Sequence, residues 1–265
     1  LFILSSEALG NPIGEMVTKA KRERKVRDEK RMPFLDHLEE LRWRLIKCLV
    51  AVAVASLLCY AVAGKLMSFL TRPYPKQLVF LSPAEGFMVT LKVSLFGGLV
   101  LALPVVFYQL WQFVAPGLLE KERRYVPVVV IVSTVSFVVG AVFAYWVMNP
   151  LALRFFLGFE SSTLVATIRV SEYLGFVTNM MLVFGVVFEM PLLSFFLARI
   201  GVLTPRLLRS KRPYSVVAIL TVAAILTPPD VLTQILLVAP MLVLYEISIW
   251  VAAVAARRRQ QSLAS

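Results

Sequence analysis

The chain has 265 residues, 59% of them hydrophobic, a mean hydropathy of +0.79, and 28 Lys and Arg against 16 Asp and Glu, a net charge of +12. Water-soluble domains are nearer half apolar, and here the charges are gathered between long apolar runs, the pattern of a bilayer protein. The basic excess does not point to nucleic acid, because no charged stretch between the apolar runs is long enough to fold by itself.

Leu1–Gly14 is mildly apolar, and Thr18–Arg31 is a dense mixture of both charges. Such a run is expected to be a solvated helix or disordered. The apolar stretch precedes the charges and no cleavage pattern follows, so it does not read as a signal peptide. Residues 1–31 read as a charged N-terminal extension, disordered or arising from a start set too early, with Met32 as the true start. From Pro33, the residues Phe34, Leu38, Leu41 and Leu45 recur at helical spacing, while Asp36, Glu39, Glu40 and Arg44 lie off that stripe. This predicts an amphipathic helix on the membrane surface that starts at Pro33 and feeds the first span.

A helix needs roughly 20 apolar residues to cross the hydrocarbon core. Six segments are candidates: Leu45–Ala63, Val93–Val114, Val126–Met148, Tyr173–Ala198, Tyr214–Thr227 and Val231–Ala255. Residues 32–256 thus form a six-span membrane domain and 257–265 a basic tail. The fifth segment covers only about 21 Å at helical rise, against a core of ~30 Å. It must thin the bilayer or shelter against its neighbours. Pro228-Pro229 then predicts a sharp reversal with Asp230 at its tip. Pro104, Pro191 and Pro240 interrupt three spans, and kinked helices favour a curved, concave bundle.

All but six of the 28 Lys and Arg fall on one side of this arrangement, the exceptions being Lys65, Arg72, Lys76, Lys92, Arg154 and Arg169. The positive-inside rule places both termini in the cytoplasm. Cys48 and Cys59 lie on one helix about 16 Å apart, beyond the roughly 7 Å a disulfide allows. His37 is the only histidine, and it has no Cys or Ser at motif spacing. No metal or nucleotide motif occurs, so neither enzyme chemistry nor a cofactor is expected.

Several charged residues stand out. Glu40 has Arg44 at i+4, and a local pair in an interface anchor explains it as well as a binding role does. In Phe113–Arg124 (F-V-A-P-G-L-L-E-K-E-R-R), Glu120 has Arg124 at i+4, whereas Glu122 lacks such a partner. It is either a solvated surface acid or a site for an external cation. Glu189 sits deep in F-G-V-V-F-E-M-P, where an acid costs ~3 kcal/mol on insertion scales and usually serves a function. It must be neutral, face a water-filled concavity, or meet a polar partner from another chain. Glu246 lies later in the sixth span, where it either snorkels or caps the bundle, and Gln234 and Asp230 lie at the opposite end.

The motifs P-F-L-D-H-L-E-E-L-R-W-R (33–44), S-P-A-E-G-F (82–87), L-P-V-V-F-Y-Q-L-W-Q-F-V-A-P-G-L (103–118), F-G-V-V-F-E-M-P (184–191) and T-P-P-D-V-x-T-Q (227–234), then L-Y-E-I-S, occur in one order from Met32 to about Trp250. In that order and spacing the chain resembles the TatC family. The resemblance implies an all-α polytopic fold of six transmembrane helices in a concave, glove-like bundle with an N-terminal amphipathic helix. It implies a receptor in the bacterial or archaeal cytoplasmic membrane that binds signal peptides with consecutive arginines. Glu40 and Glu122 then fall on the binding glutamates, with Arg42, Arg44, Phe113, Arg123 and Arg124 on neighbouring motif positions. Glu189 matches the intramembrane glutamate of the family, and Pro73 a sensitive outer-loop proline. The implied partners are TatA-like and TatB-like single-span subunits, precursor signal peptides, membrane lipid and further copies of the chain, with export driven by the proton-motive force. The competing expectation is a proton-coupled small-solute transporter using Glu189 as a relay, though no internal repeat between the halves supports it.

Overall fold

The computed structural model describes the backbone of residues 12–114, 126–161, 167–226 and 231–264, and side chains over 37–114, 126–161, 167–225 and 234–257. Among these residues every regular element is helical, apart from one isolated parallel bridge between Val79 and Arg169. Contacts divide the chain into two units, residues 1–47 and residues 48–265.

The first helix, α1 (Pro12–Ala61), begins in the first unit. The sequence placed a helix start at Pro33; α1 instead starts at Pro12 and runs through Pro33. The physical reason lies in the composition of residues 18–31, which are mostly good helix formers.

In the second unit, α1 is followed by α2 (Ala63–Thr71), α3 (Pro83–Val114) and α4 (Val126–Phe143). A π-helical turn, Ala144–Met148, joins α4 to α5 (Asn149–Leu157). Then come α6 (Val170–Phe188), α7 (Met190–Ile200), α8 (Pro205–Ser210), α9 (Arg212–Leu226) and α10 (Val231–Ala264). Five segments are long and apolar enough to cross a bilayer: His37–Ala61, Pro83–Val114, Val126–Leu157, Val170–Ile200 and Gln234–Arg257. Arg212–Ile225 is apolar but shorter, as its length in sequence required. The helices α2 and α5 had no span-length signal; α5 continues the third crossing, and α2 follows a backbone break at Val62.

The tightest seams join α10 to α7 and α4 to α6. In the second of these, Gly140 lets the backbone of α6 approach: a Cβ there would stand 2.5 Å from the Phe184 carbonyl oxygen. Small residues replace the hydrophobic effect as the means of close packing, because lipid is as apolar as the side chains. The core centres on Phe184, Val177, Val93 and Leu237, all fully covered. Large apolar side chains such as Leu57, Ile131, Val186 and Ile225 point outward, as expected of surfaces solvated by lipid. Gly201, at φ 85°, closes α7 in the left-handed conformation that glycine adopts without penalty. The Thr204 hydroxyl then accepts from Leu207 N at 3.2 Å to start α8.

Candidate functional site

Glu40 belongs to the first unit. Arg44 Nε donates to Glu40 Oε1 at 2.9 Å and Arg44 Nη2 approaches the same oxygen at 2.5 Å, while His37 Nδ1 lies 3.4 Å from Oε2. The i+4 spacing read from the sequence is therefore a formed pair. The side chain stays one-third exposed, with Oε2 turned toward His37. Arg42 is exposed on the same helix. Phe113 is half-buried in the last turn of α3, in the second unit. Glu122, Arg123, Arg124 and Asp230 lie outside the described residues.

Glu189 occupies the break between α6 and α7, a single turn residue at φ −73° and ψ −19° followed by Pro191 at the second position of α7. Only 5% of it is exposed, and its carboxyl faces α4 at Ser133 and Phe137. Oε1 is buried with no hydrogen-bond partner among the described residues. Nearby, Trp111 Nε1 donates to Ser133 Oγ at 3.2 Å, and Ser136 Oγ donates to the Phe188 carbonyl at 2.8 Å. Among the described residues, helix packing covers most of the acid. A break in the helix turns Glu189 toward α4, and no pattern of residue types announces that direction.

The remaining candidates separate. Gln234 Nε2 donates to the Leu220 carbonyl at 3.1 Å and ties α10 to α9. Glu246 Oε2 pairs with Arg212 Nη2 at 2.6 Å, so it joins the other ends of the same two helices. Pro73 is half-buried just after α2, beside the buried Tyr74.

One acid was missed. Glu85 in α3 is only 6% exposed. Its Oε2 accepts from Leu81 N at 2.9 Å, and its Oε1 accepts from Ser171 Oγ at 2.5 Å and Ser171 N at 3.3 Å. Arg169 Nη2 stands 3.5 Å away. The bridge at Val79 lies alongside, with Val79 N donating to the Ile168 carbonyl at 3.2 Å and Val170 N to the Val79 carbonyl at 3.1 Å. The available signal was S-P-A-E: a Ser followed three residues later by Glu marks a capped helix start. Here the Glu satisfies a donor one residue further back and also reaches a segment 86 residues away.

Residues 36–240 match the family model described as Sec-independent protein translocase protein (TatC). The chain is 44% identical over 229 residues to the Sec-independent protein translocase protein TatC of Desulforapulum autotrophicum, covering 84% of this chain and 85% of that one. It is 39% identical over 237 residues to the protein of that name from Aquifex aeolicus, covering 87% and 98%. A solved structure described as the twin arginine translocase receptor TatC superposes with a TM-score of 0.76 at 39% identity, over 83% of this chain and 99% of that one. This chain is a multi-pass membrane protein of the twin-arginine translocase, and it belongs to the TatC family.

Proposed function

We propose that this chain is the receptor subunit that binds twin-arginine signal peptides of folded precursors at the cytoplasmic face. The observation that carries the reading is the likeness to a solved twin arginine translocase receptor across 99% of that structure. In this reading Glu40 and Glu122 each take one guanidinium of the arginine pair. Arg42, Arg44, Phe113, Arg123 and Arg124 frame the peptide. Glu40 suits the role, because Arg44 already orients its carboxylate and the side chain stays one-third exposed. A planar guanidinium offers parallel N–H donors that a carboxylate accepts in pairs, which a lysine ammonium cannot match. Both termini face the cytoplasm, by the basic bias. TatA-like and TatB-like subunits dock along the membrane-depth residues Glu189 and Gln234 and at Glu246, several copies assemble, and the proton-motive force drives export. Pro73 and Asp230 serve the outer face.

The test is binding of a labelled twin-arginine peptide to the purified full chain. Glu40→Gln and Glu122→Gln should each weaken it about tenfold or more, and a twin-lysine peptide should bind more weakly than the twin-arginine one. Unchanged affinity in both variants sinks the carboxylate clamp.

A further inference from the structure

Where α8, the start of α9 and the last membrane turns of α10 meet, they enclose a cleft of about 420 Å³. That lies within the roughly 300–1,000 Å³ typical of small-molecule sites. Its polar wall is Arg209, Arg212, Arg257 and Glu246, and its apolar side includes Ile249 and Trp250. Glu246 neutralises Arg212 at 2.6 Å. Among the described residues no carboxylate pairs with Arg209 or Arg257, so the cleft keeps two uncompensated guanidinium groups.

Depth is set by the aromatic residues. Trp250 is 70% exposed at the cleft, and Tyr214 on the neighbouring turn of α9 is 69% exposed with Lys211 Nζ 4.8 Å above its ring. Indole and phenol rings collect where hydrocarbon meets headgroups. The cleft therefore opens at headgroup level, with cations on one wall and an apolar surface, floored by the buried Ile249, on the other. Those two walls ask for different halves of one molecule. A guanidinium pair fits a phosphate, and the apolar wall suits the first carbons of an acyl chain. Basic pockets between membrane helices recognise headgroups of this kind.

We propose that this cleft is a binding site for an anionic phospholipid, its phosphate held by Arg209 and Arg257 and its glycerol and chains laid along Trp250. A free phosphate shares the headgroup chemistry but has no use for the apolar wall. Glu246 acts as a brake on the site, since its pairing withholds the third guanidinium.

The full chain, purified in a neutral detergent, is incubated with phosphatidylglycerol or phosphatidylcholine, and retained lipid is counted by native mass spectrometry. Phosphatidylglycerol should be retained in preference to phosphatidylcholine. The double variant Arg209→Gln/Arg257→Gln should lower its retention about thirtyfold, the effect of two basic groups near a lipid surface. Glu246→Gln, which releases Arg212, should raise it, a direction that damage to the fold does not produce. Equal retention of the two lipids, or phosphatidylglycerol retention unmoved in both variants, overturns the proposal. Displacement of the lipid by excess inorganic phosphate also overturns it, by assigning the cleft to a free anion.

Discussion

The two ends of the second unit are closed by different proportions of buried and exposed bonds. At the end carrying α2, phenols from elsewhere donate to the last carbonyls of that helix, one of which, Phe69, also accepts from Arg72 N. Tyr145 donates to the Phe69 carbonyl at 2.6 Å with its ring stacked on Phe69, and Tyr173 donates to the Leu70 carbonyl at 3.2 Å while accepting from Asn149 Nδ2 at 3.3 Å. Beside them the Glu85 carboxylate gathers its donors under cover. At the end carrying α8, Tyr245 likewise donates to the Leu208 carbonyl at 2.7 Å, and a charged cross-link, Arg212–Glu246, is added with its two side chains 49% and 54% exposed. Buried directional bonds hold a single geometry, because an unmade partner there cannot turn to water. Exposed charges are screened and can exchange partners at little cost. The α8 end adds exposed, exchangeable charge to its buried phenol bond, and the cleft lined by Arg209 and Arg257 lies there.

Five substitutions probe that contrast, from the largest effect downward. Gly140→Leu forces side-chain atoms into the α6 backbone at Phe184, and overpacking of this kind costs about 3 kcal/mol or more when neither backbone can yield. Gly175, with nothing within 4 Å of an added Cβ, should tolerate Gly175→Ala. A denaturant titration of helicity in micelles separates the two, and equal stability would remove the close seam as the rigid reference for both ends. Next, Glu85→Gln discards the charge that Leu81 N and Ser171 donate to. Amide exchange at Val79 and Val170 should quicken about tenfold, with α8 and α9 unaffected. If exchange at the two sites does not change, the carboxylate is not the clasp. Smaller again, Tyr145→Phe removes one buried hydrogen bond and should cost about 1 kcal/mol, read in the same titration. Smallest, Arg212→Gln should change stability by under ~1 kcal/mol, less at high salt. A larger loss would mean that the α8 end is as firmly locked as the α2 end.

Much of this fold was legible because bilayer crossing writes itself in composition. The apolar runs, the short fifth helix and the prolines in α3 and α10 all followed from length and residue type. Boundaries were less so: α3 begins at Pro83, ten residues before the apolar run, because an amphipathic helix start carries Glu85 and Lys92 that a hydropathy window rejects. The candidate site was read unevenly. Glu40 with Arg44 is local and was visible as an i+4 pair. Glu246 was visible as an isolated acid, but its partner Arg212 is 34 residues away. Glu85 was hidden inside a motif, since its importance comes from Ser171 on a distant helix.

By itself the sequence determined that this chain crosses a membrane several times and which family it belongs to. Each of these depends on local composition or on the order of motifs, and neither needs a partner from afar. Only the tertiary structure decided that Glu189 is packed against Ser133 and Phe137, that Glu85 ties the segment before α3 to the start of α6, and that three arginines from two chain segments share a cleft with Trp250. Those outcomes depend on the rotation of each helix about its axis. Close packing at residues such as Gly140 sets that rotation, and the apolar pattern of a lipid-facing helix, hydrophobic on nearly every side, does not encode it.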